Sequence, residues 1–245
     1  MYGLLGKSLG HSFSKDYFTE KFSKLNLNHT YHNIELDVIS KIVEFVHDNK
    51  NLKGFNVTVP YKESIIPYLD DLDETAREVG AVNTVKVFDD GKLKGFNTDV
   101  IGFKAIICLL SCSSKTGTAL ILGSGGASKA VQYVLKKENI PFKVVSRNAH
   151  RSGIIGYDEV NTSGFAPYSI IINTTPVGMF PNVDECLSLP YSTIKPCHVF
   201  IDLIYNPEET LFLRNARIKG ASTFNGMTML REQAEAAWDI WNIEN

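Results

Sequence analysis

The stretch Thr118-Ala-Leu-Ile-Leu-Gly-Ser-Gly-Gly-Ala-Ser-Lys-Ala-Val131 decides the fold. Residues 119–122 form a short, bounded apolar run, as in a strand buried on both faces of a parallel sheet. Gly123, Gly125 and Gly126 interrupt it. From Ala127 the apolar residues Ala130, Val131, Val134 and Leu135 recur at helical spacing. A strand, a glycine turn and a helix in this order build a dinucleotide-binding unit. Glycines let the chain turn tightly and let a pyrophosphate approach the backbone, and the helix N-terminus offers free N–H groups to the anion. The spacing Gly123, Ser124, Gly125, Gly126, Ala127 is not the full Gly-x-Gly-x-x-Gly fingerprint, and glycine turns of this kind also occur for packing alone.

The next apolar run, Phe142 to Val145, ends in Ser146, Arg147 and Asn148. An acidic residue there would take the ribose 2′-hydroxyl of NAD. An arginine suits the 2′-phosphate of NADP, so NADP is the expected cofactor. The plain alternative is a solvated surface arginine.

Outward from this unit, composition sets the frame. The chain has 245 residues, enough for two modest domains, and 44% are hydrophobic, the ordinary fraction for a globular protein. A formal net charge of -2 leaves no basic field for a nucleic acid. There is no run of membrane-spanning length and no signal-peptide pattern. Cys108, Cys112, Cys186 and Cys197 lack zinc-ligand spacing and read as reduced thiols in the cytoplasm. No nucleic-acid or membrane partner is expected, and the chain reads as a monomer or a homodimer.

The first hundred residues predict strands at 2–6, 31–36 and 54–59, and helices at 15–25, 38–47 (Val38, Ile42, Phe45 and Val46 inward), 60–68 and 73–79. A hairpin follows, 80–88 and 92–96 around Asp89-Asp-Gly91. Ser14 has two readings, helix cap or ligand contact with Ser12. Pro60 is well placed to open a helix, which puts Lys62 in its first turn. A cation at the positive end of a helix dipole is unfavourable, which makes Lys62 a candidate proton-transfer group, with an ordinary exposed lysine as the alternative. Asp99 could cap the helix 100–110 or hold Lys62 and a substrate hydroxyl. Residues 149–168 show no helical period and read as a shortened connection with one brief strand. Strands are expected at 169–173, 199–204 and 221–224, and helices at 208–218 and 227–241. The loop from Thr174 follows a strand end, where ligands gather in open α/β sheets. The class is α/β with two domains. Residues 1–99 form a substrate-binding domain completed by the helix 227–245, and residues 100–226 form a doubly wound Rossmann-like domain.

Taken together, the motifs resemble the shikimate dehydrogenases over nearly the whole chain. The likeness rests on Ser12-Phe-Ser14, Asn56-Val-Thr-Val-Pro-Tyr-Lys62, Ala81-Val-Asn-Thr84, Asn97-Thr-Asp99, the glycine turn, Arg147, Asp202-Leu-Ile-Tyr205 with Pro207, Gly226 and Gln233. The resemblance implies reversible reduction of 3-dehydroshikimate to shikimate by NADPH in aromatic amino-acid biosynthesis. It implies Lys62 and Asp99 as the catalytic pair, and Ser12, Ser14, Thr58, Asn83, Tyr205 and Gln233 as substrate ligands. Gly123, Ser124, Gly125, Gly126, Ala127, Ser146, Arg147, Asn148, Thr174 and Gly226 would hold the cofactor; no metal is implied. The chain departs from the family's pattern at Lys15-Asp-Tyr-Phe18, at Asn148 and in the short 149–168 region. Two rivals remain: a quinate/shikimate dehydrogenase using NAD, and a non-catalytic relative that senses shikimate. Arg147 speaks against the first, and the retention of Lys62 with Asp99 against the second.

Overall fold

A computed structural model of the chain describes residues 1–10, 13–111, 113–147 and 153–243. Ser12, Cys112 and Asn148 lie outside the described residues. The chain folds into two compact units, Met1–Thr98 with Gln233–Asn245, and Asp99–Glu232.

The N-terminal unit runs β1 (Tyr2–Gly6), α1 (Phe13–Lys24), β2 (Tyr31–Glu35), α2 (Ile42–Asp48), β3 (Gly54–Val57), β4 (Asp71–Leu72), α3 (Glu74–Val79), β5 (Thr84–Val87) and β6 (Leu93–Phe96). Its sheet has the order β2-β1-β3-β5-β6-β4. β1 lies parallel to β2 and β3, and β5 is antiparallel to β3 and β6. Strand alternation sends Leu5, Ile34, Phe55 and Val85 to one face, where Ile42 of α2 covers them. Tyr2 and Tyr31 go to the other face and meet Phe18 and Phe22 of α1 with Ala234, Ala237 and Trp241 of the last helix. Phe18 stacks on Tyr31 with ring centroids 4.9 Å apart.

The second unit runs α4 (Asp99–Leu109), β7 (Thr118–Leu122), α5 (Gly126–Lys137), β8 (Phe142–Val145), β9 (Ile154–Ile155), α6 (Tyr157–Ser163), β10 (Tyr168–Asn173), β11 (Val199–Asp202), α7 (Leu211–Ile218), β12 (Ser222–Phe224) and α8 (Met227–Asn242). The strands pair in parallel in the order β12-β11-β10-β7-β8-β9. Ala119, Ile121, Ile170 and Ile201 face α4 and α5, whereas Leu120, Leu122, Ile171 and Phe200 face α6 and α7. Both faces are therefore covered, which explains why these strands read as unbroken apolar runs. The division between the units falls inside α8. Met229 belongs to the core of the second unit, and Ala234, Ala237 and Trp241 to that of the first.

Several expectations are corrected. No α-helix forms over 60–68: the segment is a chain of turns ending in a 3₁₀ turn at Ile66–Tyr68. Pro67 cannot donate a helical hydrogen bond and disfavours helical geometry at Ile66. The dipole argument for Lys62 therefore has no helix to rest on. Val38 precedes the helix it was expected to line and is 51% exposed. Residues 149–168 hold a helix after all, the seven-residue α6, with Val160 as its fully buried apolar residue. α7 begins later than Glu208 because the Thr210 side chain caps it, accepting from Leu213 N.

Candidate active site

In the N-terminal unit a buried polar cluster sits at the ends of β3 and β5. Ser14 is not a cap: it lies inside α1 as the second residue, is buried, and hydrogen-bonds the Tyr31 hydroxyl. Tyr31 Oη donates to Asn56 Oδ1 at 2.8 Å, so Ser14 is the donor in its own bond. Burial pushes the Tyr31 phenol well above its ordinary range, with the Ser14 bond opposing it, so the phenol stays a donor at any working pH. Asn56 Nδ2 reaches Thr84 Oγ1 (3.1 Å) and Asn83 O (3.3 Å). Asn83 Oδ1 accepts from Thr98 N at 2.7 Å, and Asn83 Nδ2 donates to Thr98 Oγ1 (2.9 Å) and Gln233 Oε1 (3.4 Å). The cluster thus joins three of the expected substrate residues, Ser14, Asn83 and Gln233, through Tyr31, Asn56, Thr84 and Thr98. The Asn56 and Asn83 amides each have both their donor and acceptor sides engaged, which fixes their orientation.

Lys62 is half-buried in the turn after β3, and its backbone carbonyl accepts from Val82 N at 2.7 Å, next to Asn83. Thr58 stands just past β3, with its N–H on Leu5 O at 2.8 Å. Asn97 is buried, and its amide donates to Ala81 O at 2.8 Å, tying the end of β6 to the segment before Asn83. Asp99 is the first residue of α4 and is buried; Thr98, not Asp99, stands before the helix.

In the second unit the sheet order reverses between β7 and β10, the switch point at whose strand C-termini a doubly wound sheet takes its ligand. Gly123 ends β7 with φ +110°, a conformation other residues avoid, and a Cβ there would lie 2.7 Å from Thr174 Oγ1. Thr174 Oγ1 and N both donate to Leu122 O, at 2.7 and 2.9 Å. Gly125 occupies the N-cap of α5, contributes no side-chain cap, and has open space where a Cβ would be. An anion can therefore approach the first turn of α5. Ser128 stands where the fingerprint's third glycine would and is fully buried, its hydroxyl accepting from Gln132 Nε2 at 3.0 Å. Ser124 and Ser146 hydroxyls lie 3.1 Å apart, joining the glycine turn to the end of β8. Arg147 follows, exposed, and close enough to Tyr157 to oppose the upward push that burial gives that phenol. This switch point fits a dinucleotide phosphate: glycines where side chains would intrude, uncapped N–H groups, and a cation beyond β8.

Tyr205 is partly buried in the turn after β11. Gly226 packs against that turn. A Cβ there would meet Leu203 O at 2.1 Å, and Gly226 N donates to Ile204 O at 2.9 Å. Close backbone approach accounts for this glycine without any ligand.

Sequence reasoning assigned no role to Tyr31, Thr84 and Thr98, nor in the second unit to Asn173 and Asp202. Asn173 Nδ2 and Ile204 N both donate to Asp202 Oδ1 at 3.0 Å, and Thr210 Oγ1 donates to Asp202 Oδ2 at 2.6 Å. For these last two a signal was present: each is the polar residue that closes an apolar strand.

The doubly wound parallel sheet and its glycine turn define the class: an α/β protein with a Rossmann-like dinucleotide-binding unit. A family model described as the shikimate dehydrogenase substrate binding domain matches residues 4–85. The shikimate dehydrogenase (NADP(+)) of Methanococcus maripaludis strain C6 is 39% identical over 256 residues, spanning 98% of this chain and 90% of its own. The structure of shikimate dehydrogenase 1 from Peptoclostridium difficile matches with a TM-score of 0.86 at 36% identity, over 100% of this chain and 93% of that one. Shikimate 5-dehydrogenase from Thermus thermophilus, solved in complex with NADP(H) and shikimate, matches with a TM-score of 0.85 at 28% identity, over 98% and 92% of the two chains. The chain belongs to the shikimate dehydrogenase family.

Proposed function

We propose that this chain catalyses the reversible, NADPH-dependent reduction of 3-dehydroshikimate to shikimate. The observation that carries the reading is the likeness to an NADP-named shikimate dehydrogenase over 98% of the chain. When bound, NADPH supplies the hydride for the C3 carbonyl carbon of the substrate. Lys62 gives a proton to the carbonyl oxygen as it becomes a hydroxyl, and takes it back in the reverse direction. Asp99 orients the lysine and the reacting hydroxyl. Ser12 and Ser14 hold the substrate carboxylate, the Ser14 hydroxyl turning its one proton from Tyr31 Oη to the carboxylate as substrate binds, while Asn83 meets the substrate hydroxyls and Thr58, Tyr205 and Gln233 complete the substrate contacts. The Tyr31–Asn56–Thr84–Thr98 network supports this by fixing Asn83 and holding the Ser14 oxygen in place before substrate arrives, so that only the Ser14 proton has to turn on binding.

Gly123, Ser124, Gly125, Gly126 and Ala127 cradle the pyrophosphate, Thr174 forms the opposite wall, and Gly226 shapes the adjoining turn. Ser146, Arg147 and Asn148 take the adenosine 2′-phosphate, with Arg147 as the charged partner. On this reading residues 1–99 with 227–245 bind substrate and residues 100–226 bind cofactor. The protein works in the cytoplasm as a monomer or homodimer. Among the described residues no helix is long and apolar enough to cross a membrane.

The test is the ultraviolet absorbance of NADPH formed from NADP⁺ and shikimate, run beside NAD⁺ and beside quinate. Turnover with shikimate and NADP⁺ is expected. Preference for NAD⁺ or quinate moves the specificity, and shikimate binding without turnover by any pair replaces the enzyme with a sensor.

A further inference from the structure

The carboxylate of Asp202 lies fully buried at the end of β11, a strand separated from β7 and its glycine turn by β10. It is nevertheless wired to the switch point. Its Oδ1 accepts from Asn173 Nδ2 at 3.0 Å. The other end of that amide, Asn173 Oδ1, accepts from Thr175 N (3.0 Å) and Thr175 Oγ1 (2.7 Å), and Thr175 Oγ1 in turn accepts from Val177 N at 3.3 Å. Thr175 is half of the wall facing Gly123: a Cβ on Gly123 would meet Thr174 Oγ1 at 2.7 Å and Thr175 Cγ2 at 3.1 Å. Thr174 is tied to β7 directly through Leu122 O, whereas the side chain of Thr175 is tied to Asn173. With the Asn173 amide held this way round by Asp202, its oxygen is left for Thr175. Thr175 N–H, a donor only, asks for the same orientation, so without the carboxylate the amide keeps its oxygen toward the loop but its Nδ2 end loses the Asp202 anchor and the side chain is held at one end.

We propose that Asp202 is a positioning residue for the nicotinamide dinucleotide, acting through Asn173 to set the Thr174–Val177 wall opposite the glycine turn. The inference rests on the cofactor reading given above. The other arm of the carboxylate, Oδ2 to Thr210 Oγ1, serves a separate end: Thr210 caps α7. The two arms can therefore be cut independently.

The experiment measures NADP⁺ binding to the full chain by calorimetry, at a temperature where circular dichroism shows each variant folded. Asn173→Ala and Asp202→Ala should each raise the Kd about tenfold, the scale of one net hydrogen bond lost from a preorganised wall. Asp202→Asn keeps an oxygen for Asn173 Nδ2 and Ile204 N, and should recover affinity to within about threefold of the parent. Thr210→Val should lower thermal stability and leave the Kd within about twofold. Should Asp202→Ala not fold, Asn173→Ala carries the test alone. An unchanged Kd in Asn173→Ala overturns the inference, as does an equal rise in Thr210→Val, which would mean general loosening. A parent chain that binds NAD⁺ but not NADP⁺ overturns the NADP assignment alone, and the same comparison is then read with NAD⁺; binding of neither overturns both.

Discussion

Removing one oxygen from the buried cluster tests how the N-terminal unit is held together. Tyr31→Phe keeps the ring, and so its stack on Phe18 at 4.9 Å and an interplanar angle of 11°. It deletes the hydroxyl that donates to Asn56 Oδ1 at 2.8 Å and accepts from Ser14. Among the described residues Asn56 Oδ1 accepts from Tyr31 alone, and Asn56 is 4% exposed, so water does not reach it easily. A buried acceptor left without its donor costs about 1–3 kcal/mol, and the Ser14 hydroxyl loses its partner as well. The relief of no longer burying a phenol oxygen offsets part of this, which leaves a net loss of about 2 kcal/mol. The chain's two tryptophans, Trp238 and Trp241, both lie in the same aromatic cluster as Tyr31, so their fluorescence reports unfolding of this unit. With a urea slope of about 2 kcal/mol/M, the midpoint should fall by about 1 M with the slope unchanged. The KM for shikimate should rise with it, because Asn56, which holds Asn83 O and Thr84 Oγ1, loses its fixed orientation, while the KM for NADP⁺ stays put. A midpoint shift of less than about 0.2 M would refute the argument, since it would mean that the hydroxyl is not what satisfies Asn56.

Other expectations follow from the same geometry. Burial, opposed by the bonds from Thr210, Ile204 and Asn173, holds the Asp202 carboxyl up at about 6 against an ordinary 3.8. A carboxyl raised in the folded state favours folding while protonated, and that contribution is lost as pH climbs through about 6. Asp202→Asn should therefore gain about 2 kcal/mol relative to the parent between pH 4 and pH 7, and a pH-independent difference in denaturation midpoints would contradict this. Lys62→Ala should lower kcat by at least about a hundredfold with shikimate affinity kept, measured by steady-state kinetics and calorimetry; near-normal turnover would remove the lysine from the chemistry. Arg147→Ala should raise the KM for NADP⁺ at least about tenfold more than that for NAD⁺, and equal losses would point to a folding defect.

Much of the second unit was legible because a buried parallel sheet writes itself as apolar runs. Residues 119–122, 170–172 and 199–201 are apolar runs of strand length bounded by polar residues and turns, and the glycines after Leu122 marked the strand end at the switch point. α6 was illegible for the opposite reason. It is seven residues long, one residue of it is fully buried, and Asp158, Glu159, Asn161 and Thr162 erase any period. The 60–68 segment misled because Pro60 suits a helix start while Pro67 forbids its continuation, and tertiary contacts such as Val82 N on Lys62 O decided between them. In the polar cluster, Asn83, Ser14 and Gln233 could each be singled out in sequence. Their linkage could not, because it depends on strand register. Tyr31 lies level with Tyr2, and Asn56 level with Leu4, and that stagger brings the phenol to the amide.

The division inside α8 has a consequence for the order of synthesis. The N-terminal unit buries Tyr2, Phe18, Phe22 and Tyr31 against Ala234, Ala237 and Trp241, so its core is finished only by chain made after the whole of the second unit. The second unit is contiguous and can close as soon as residue 232 emerges. For the roughly ten seconds needed to make it, at typical rates of elongation, the first ninety-eight residues carry an aromatic face with nothing on it. Of the two units, the one begun earlier is thus the one completed later, and in that interval it is the more exposed to aggregation or to capture by chaperones.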